Sequence, residues 1–246
     1  NTCNQVFEGK MDDVRWYDRY LNSSEIEEVY LYSQLSEGVP PSCAVTYSEF
    51  GDEPQNSSVY YPFDYNSQST EFKDLSGLDG IVVGLDENTY NYGRNGSFKF
   101  DSTIAGQMFT SDSPRLAFSG DSDFTVALWY KAISSDTSDT IFGTTGNEGV
   151  YSTQYVYCNQ QQYSGCAYDE IYCSLETVTN GDMIDFCVDN ITANDGDWHH
   201  IALVLEGSSD TGAFYLDGVE APITIKNGGW ADLGTSSINL GNPYWT

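Results

Sequence analysis

From Lys10 to Tyr17 the side chains alternate, with Asp12, Val14 and Trp16 on one face of an extended chain and Met11, Asp13, Arg15 and Tyr17 on the other. That period predicts a strand covered on at least one side. Behind it, Ser24 followed by Glu27 has the form of a capping box, and Ile26, Val29 and Tyr30 recur at helical spacing. A strand therefore passes into a helix of about two turns, expected near residues 24–32. Farther on, Phe124, Val126, Leu128 and Tyr130 share one face and Ala127 and Trp129 the other. A strand apolar on both sides belongs at the centre of a two-layer sandwich. In GAFYLDGVEA, at 212–221, the Asp217-Gly218 pair supplies the positive φ that a tight hairpin turn needs.

Between these patterned stretches, residues 33–59 carry prolines, serines and glycine in the manner of a linker. The expected organisation is an opening strand and helix over 1–35, a linker over 36–59 and a main body over 60–246, with a cysteine-rich insertion at about 144–190. The insertion is expected to be an elaborated, stapled loop region, with Cys187 on a strand, MIDFCVDN, that fixes its base.

The opening stretch resembles the closing strand and helix of laminin G-like jelly rolls, within the concanavalin A-like lectin and glucanase superfamily. The residues that carry the resemblance are Gly9, Met11, Asp12, Asp13, Val14, Arg15, Tyr17, Leu21, Ser24, Glu25 and Ile26. YYPFDYNSQSTEFKDLSGLDGIVVG from Tyr60, SFKFD at 97–101, DGDWHHIALVLEG at 195–207 and SINLGN at 237–242 resemble the rest of that fold in its usual order. The resemblance implies an all-β, two-sheet antiparallel jelly-roll sandwich with one short helix, whose final strand stands first in this chain. Val14, Trp16, Tyr17, Ile26 and Val29 are then the strand-complementing residues. They complete either their own body, as a circular permutation, or a neighbour's, as a strand exchange; a neighbour is the preferred recipient.

Charge narrows the partners. Nine basic residues against 37 acidic ones give a formal net charge of −28, which repels nucleic acid and anionic membranes. Six cysteines, Cys3, Cys43, Cys158, Cys166, Cys173 and Cys187, contain no C-x-x-C pair, so disulfides are favoured over zinc. Sequons at Asn22, Asn56, Asn95 and Asn190 agree with an extracellular, secreted glycoprotein. Pairing of Cys3 with Cys43 would tie the linker to the base of the first strand, and connectivity stays open.

Candidate chemistry is sparse. His199 and His200 are adjacent on a strand and point to opposite faces. The Glu-x-Asp-x-x-Glu strand of glucanase relatives has no counterpart, and no nucleophile elbow, P-loop or H-E-x-x-H occurs. The chain is therefore expected not to be an enzyme. The resemblance implies a calcium ion near the meeting of first and last strands, with Asp12, Asp64 and Asp74 as ligands. Two functions follow as expectations. One is an extracellular filament or array module that partners itself by strand complementation. The other is a calcium-dependent, lectin-like adhesion module that binds glycans, with Trp230, Tyr244 and Trp245 as sugar platforms.

Overall fold

The computed structural model describes residues 9–35, 57–61, 81–83, 90–91, 97–100, 107–109, 117–119, 122–132, 139–144, 155–160, 165–167, 170–176, 183–189, 191, 195–230, 237–239 and 243–245. The strand order along the chain begins with β1 (Gly9–Tyr17), followed by helix α1 (Ser23–Leu35) and the short strands β2 (Ser57–Tyr61), β3 (Ile81–Val83), β4 (Tyr90–Asn91), β5 (Ser97–Phe100), β6 (Gln107–Phe109) and β7 (Ala117–Ser119). Next come β8 (Phe124–Ala132), β9 (Asp139–Thr144), β10 (Tyr155–Gln160), β11 (Ile171–Glu176), β12 (Met183–Val188) and β13 (His199–Glu206). The last are β14 (Thr211–Leu216), β15 (Val219–Ala221), β16 (Ile223–Gly228), β17 (Ser237–Asn239) and β18 (Pro243–Trp245).

Two eight-stranded antiparallel sheets form the sandwich. The first runs β15-β14-β13-β8-β1-β5-β4, with β2 also bonded to β1, and the second runs β16-β12-β11-β10-β9-β18-β6-β3. Between them lies a core of Met11, Val14, Trp16, Phe124, Leu128, Phe142, Phe186 and Leu203, among others. β8 is flanked by β13 and β1, and both of its faces are buried, as its two apolar faces predict.

The first strand sits inside its own chain's sheet. β8 pairs along one edge of β1, while β5 takes Gly9–Met11 and β2 takes Val14–Tyr17 on the other edge. Within the single chain, Val14, Trp16, Tyr17, Ile26 and Val29 are seated against the body that follows them in the sequence. All five side chains are buried. β2 begins at Ser57, slightly ahead of the boundary expected at Tyr60.

Strict alternation along β1 fails at one place. Asp12 is opposite Trp129 and Arg15 opposite Ala127, so two residues, Asp13 and Val14, face one residue of β8. This is a β-bulge, and Asp13 adopts the left-handed region with φ of 49°. The extra residue resets the phase. Met11 therefore joins Val14 and Trp16 in the core between the sheets, whereas Asp12, placed with those two by alternation, projects to the other face with Arg15 and Tyr17.

That outer face is covered by α1. The helix is 13 residues long rather than two turns, and its box starts earlier than expected. Asn22 Oδ1 accepts the N–H groups of Ser24 and Glu25, and Glu25 Oε2 accepts the Asn22 N–H at 2.9 Å. Both Asn22-x-x-Glu25 and Ser24-x-x-Glu27 have the right spacing; the earlier one lets Ile26, Val29 and Ser33 all face the sheet. Thr125 ties the turn before the helix to β8, accepting the Leu21 N–H and donating to the Arg19 carbonyl. At the far end Trp129 Nε1 donates to Ser33 Oγ at 2.7 Å.

In the cysteine-rich insertion β12 falls on the expected strand MIDFCVDN, and the loop expected ahead of it is corrected to sheet: β10, β11 and β12 form an antiparallel meander in full register. Cys158 and Cys173 are directly opposite and joined across β10 and β11, and Cys166, in the connection between them, is joined to Cys187 of β12. Cys3 and Cys43 lie outside the described residues.

Trp16 is 2% exposed and stacks on Phe124 at 5.8 Å. Trp16→Ala is expected to cost about 3–5 kcal/mol of unfolding free energy, measured by denaturant titration; a loss under about 1 kcal/mol would show that β1 is not part of the core.

Candidate functional site

The bulge places an unusual set of charges beneath α1. Asp12, Asp13 and Arg15 are all under 10% exposed. Asp12 Oδ1 accepts the Asp13 N–H at 2.9 Å. Asp13 Oδ1 accepts the Tyr60 hydroxyl at 3.0 Å and lies 3.4 Å from Arg15 Nη2, which also reaches the Tyr60 hydroxyl. The guanidinium lies over the Tyr60 ring at 4.4 Å and near that of Tyr32 at 5.4 Å, so two aromatic faces share its charge with one carboxylate. Burial works to lower the Arg15 pKa, but Tyr60, Tyr17 and Asp13 outweigh it and hold it above its ordinary value. Tyr17 is pushed up by its own burial, against the pull of Arg15.

One level along the strands, Asp12, Trp129 and His200 stand opposite one another on β1, β8 and β13. Tyr30 of α1 stacks on Trp129 at 5.5 Å and tilts over His200 at 5.7 Å. The same ring meets the β14–β15 turn so closely that a Cβ on Gly218 would lie 2.7 Å from it. Gly218, at φ 78°, is thus required both by the turn and by the helix above it.

That turn is clamped by His199. Its Nδ1 is 3.0 Å from Asp217 Oδ2 and its Nε2 is 3.2 Å from Asp195 Oδ1, while Asp217 Oδ1 accepts the His200 N–H at 2.8 Å. Only the imidazolium can donate from both nitrogens to two carboxylates. The hydrogen bond to Asp217 accordingly raises the His199 pKa, against desolvation and with help from Asp195. For Asp195 desolvation acts upward, but the Asp197 N–H and His199 outweigh it and the pKa is lowered.

Of the expected calcium ligands, Asp12 is buried at the bulge, and Asp64 and Asp74 lie outside the described residues. Among the described residues Asp12 belongs to no group of three ligand-bearing side chains, and Asp13 is engaged by Arg15 and Tyr60. Cys166, Glu170 and Cys187 do converge, but the two sulfurs are joined to each other, which leaves no thiolate pair for a metal. Asn22 is exposed at the helix start; Asn56, Asn95 and Asn190 lie outside the described residues. Trp230, expected as a sugar platform, packs on Phe186 at 5.5 Å and over Gly212, where a Cβ would meet its ring at 2.5 Å. The side chains of Tyr244 and Trp245 are outside the described set. Alternation could not reveal the Arg15–Tyr60 pair, because it depends on how β2 registers on β1. The His199 clamp had one visible signal, an acidic residue four positions before the histidine.

The sequence model of a laminin G family, described as the concanavalin A-like lectin/glucanases superfamily, matches residues 81–246. The chain belongs to this superfamily. No curated protein matches it. Among solved structures it is similar to the endo-1,3-beta-glucanase from Streptomyces sioyaensis, determined at 1.5 Å, with 14% sequence identity and a TM-score of 0.33, covering 73% of this chain and 70% of that one. The expectation that the chain is not an enzyme is corrected by this finding: an enzyme stands among the proteins it is similar to, and missing motifs alone do not decide the question.

Removing Arg15 leaves Asp13 buried beside a phenol and no cation. Arg15→Ala is expected to destabilise the fold by about 3–5 kcal/mol, and Asp13→Asn by less, as read from chemical denaturation; equal, small losses would mean the pair is solvated. The clamp has a defined sign. Since the folded pKa of His199 is raised above 6.5, its contribution is complete below the unfolded value and is lost as pH rises through the folded value. Stability of the wild type should fall over that window while His199→Ala stays flat; parallel curves would show that His199 is not charged in the fold.

Proposed function

We propose that the chain is a secreted, extracellular interaction module, a protomer or repeat of a filament or array, whose jelly roll is completed by a segment encoded ahead of it. The observation that carries this reading is the interior position of β1, bonded on both edges. Withdrawing it would leave open edges on β8, β2 and β5 and uncover Val14 and Trp16, whose burial contributes about 1.5–3 kcal/mol each. A slot of that kind accepts one kind of occupant, a strand of matching register with a helix behind it. In cis it closes a single copy. Donated in trans from copy to copy, the same segment propagates head to tail into a fibre.

Two disulfides in the described part support an oxidising setting, and among the described residues no helix is long and apolar enough to cross a membrane. Calcium is part of the proposal, with Asp12 completed by Asp64 and Asp74; no step of assembly is routed through it.

The test is to mix two differently tagged populations of the intact chain, unfold and refold them together, and measure particle mass over a range of concentration. Species that carry both tags and survive high salt are expected. A monomer at every concentration would end the exchange reading and leave a permuted domain closed on itself. For calcium, a chelator should lower the melting temperature, and an unchanged Tm would remove the ion from the account.

A further inference from the structure

The turn between β1 and α1 is held to the sheet from one side only. Thr125 of β8 accepts the Leu21 N–H at 3.1 Å and donates to the Arg19 carbonyl at 3.0 Å, and the Leu21 side chain is buried. Asn22, one residue on, is exposed, and so are Ser23 and Ser24. These three form the triplet Asn22-Ser23-Ser24, an asparagine two places ahead of a serine, which is the acceptor pattern for N-linked sugar. Of the chain's four such asparagines, Asn22 is the one that lies among the described residues.

The partners of the Asn22 amide fix which way it points. Oδ1 accepts the N–H groups of Ser24 at 3.0 Å and Glu25 at 3.1 Å, and only the carbonyl arm of an amide can accept from N–H donors. The backbone is held as well: Glu25 Oε2 accepts the Asn22 N–H at 2.9 Å, while Glu25 Oε1 pairs with Arg19 Nη1 at 2.7 Å. With Oδ1 turned into the first turn of α1, Nδ2 lies on the other arm of the same planar group, directed away from the helix. Among the described residues Nδ2 has no hydrogen-bond partner. The cap therefore uses the oxygen and leaves the nitrogen, the atom that takes a sugar. Ser24 contributes its N–H to the cap and keeps its side chain in the open.

Attachment preserves this arrangement. Nδ2 displaces the lipid diphosphate from C1 of a lipid-diphosphate-linked oligosaccharide; the Nδ2–C1 bond forms, the C1–O bond breaks, and one Nδ2 proton leaves with the diphosphate. The product is still a planar amide with the same carbonyl oxygen, so both bonds from Ser24 and Glu25 are retained. The acceptor is also within reach before the fold closes. Every strand that bonds β1 comes later in the chain, β2 at 57–61, β5 at 97–100 and β8 at 124–132, and a lone helix of 13 residues is marginal in water.

We propose that Asn22 is a glycosylated helix cap: Nδ2 carries an N-linked oligosaccharide while Oδ1 continues to close the first turn of α1, so the completing segment is modified without being loosened. The sugar stands on the outer side of the turn that joins β1 to α1. The inference rests on the secreted setting proposed above and is independent of strand exchange.

The intact chain, secreted from a eukaryotic cell behind a cleavable leader, tests it by peptide mass spectrometry and thermal melting. A sugar-bearing peptide that contains Asn22 is expected. It should disappear in Ser24→Ala, which breaks the triplet and keeps the cap, and in Asn22→Asp, which keeps an acceptor oxygen in the same place. The glycosylated wild type should melt together with Ser24→Ala, whereas Asn22→Ala, which loses both cap and sugar, should melt roughly 2–4 °C lower. A glycosylated wild type that melts as low as Asn22→Ala would overturn the proposal, because the sugar would then have displaced the cap. A bare Asn22 on a chain whose Cys158–Cys173 and Cys166–Cys187 disulfides are closed overturns it and leaves the secreted setting in place; a bare Asn22 with open disulfides overturns both.

Discussion

The constraint on which the rest depends is that β1 is bonded along both of its edges. A strand at a sheet's rim can be lost with one ladder and some side-chain burial; a strand in the interior takes with it the continuity of the sheet. Here β8 depends on β1 along one side, and β2 and β5 depend on it along the other. β1 therefore stands at the centre of the fold, and the core between the sheets, from Met11 to Trp16 and Phe124, is assembled around it.

The bulge at Asp13 then decides what faces the helix. Without the extra residue, strict alternation would have put either Met11 or Val14 with Trp16 on the wrong side. With it, the inner face stays apolar and the outer face receives Asp12, Arg15 and Tyr17. The cost of buried charge on that face is offset by the hydrogen bonds that join Asp13, Arg15 and Tyr60 in a compact set. α1 covers that set, and its Tyr30 reaches across Trp129 and His200 to the turn that His199 holds. Bulge, helix and turn are one connected packing unit.

Much of this was legible from residues 9–33. Alternation located the strand, the i, i+3 spacing of Ile26 and Val29 located the helix face, and the double-faced apolar run located β8 as central. What alternation could not show was the phase reset, since a bulge leaves no mark in a hydrophobicity pattern beyond two adjacent acids. The capping box was ambiguous because two overlapping Asx/Ser-x-x-Glu frames coexist, and only packing against the sheet chooses between them. The part of the cysteine-rich stretch ahead of MIDFCVDN read as a loop because its Tyr, Gln and Ser content hides the alternation of Cys158, Cys173 and Leu175 into the core. Pairings that depend on distant register, such as Arg15 with Tyr60, have no local signature at all.

If β1 is an interior strand of its own chain's sheet, its amides open only when the sheet does. Native-state hydrogen exchange is the most direct measurement. The account predicts that the bonded amides of β1 exchange as slowly as those of β8 and β13, with opening free energies equal to that of global unfolding. Exchange of β1 at the rate of an unprotected terminal segment, while β8 and β13 remain protected, would contradict it.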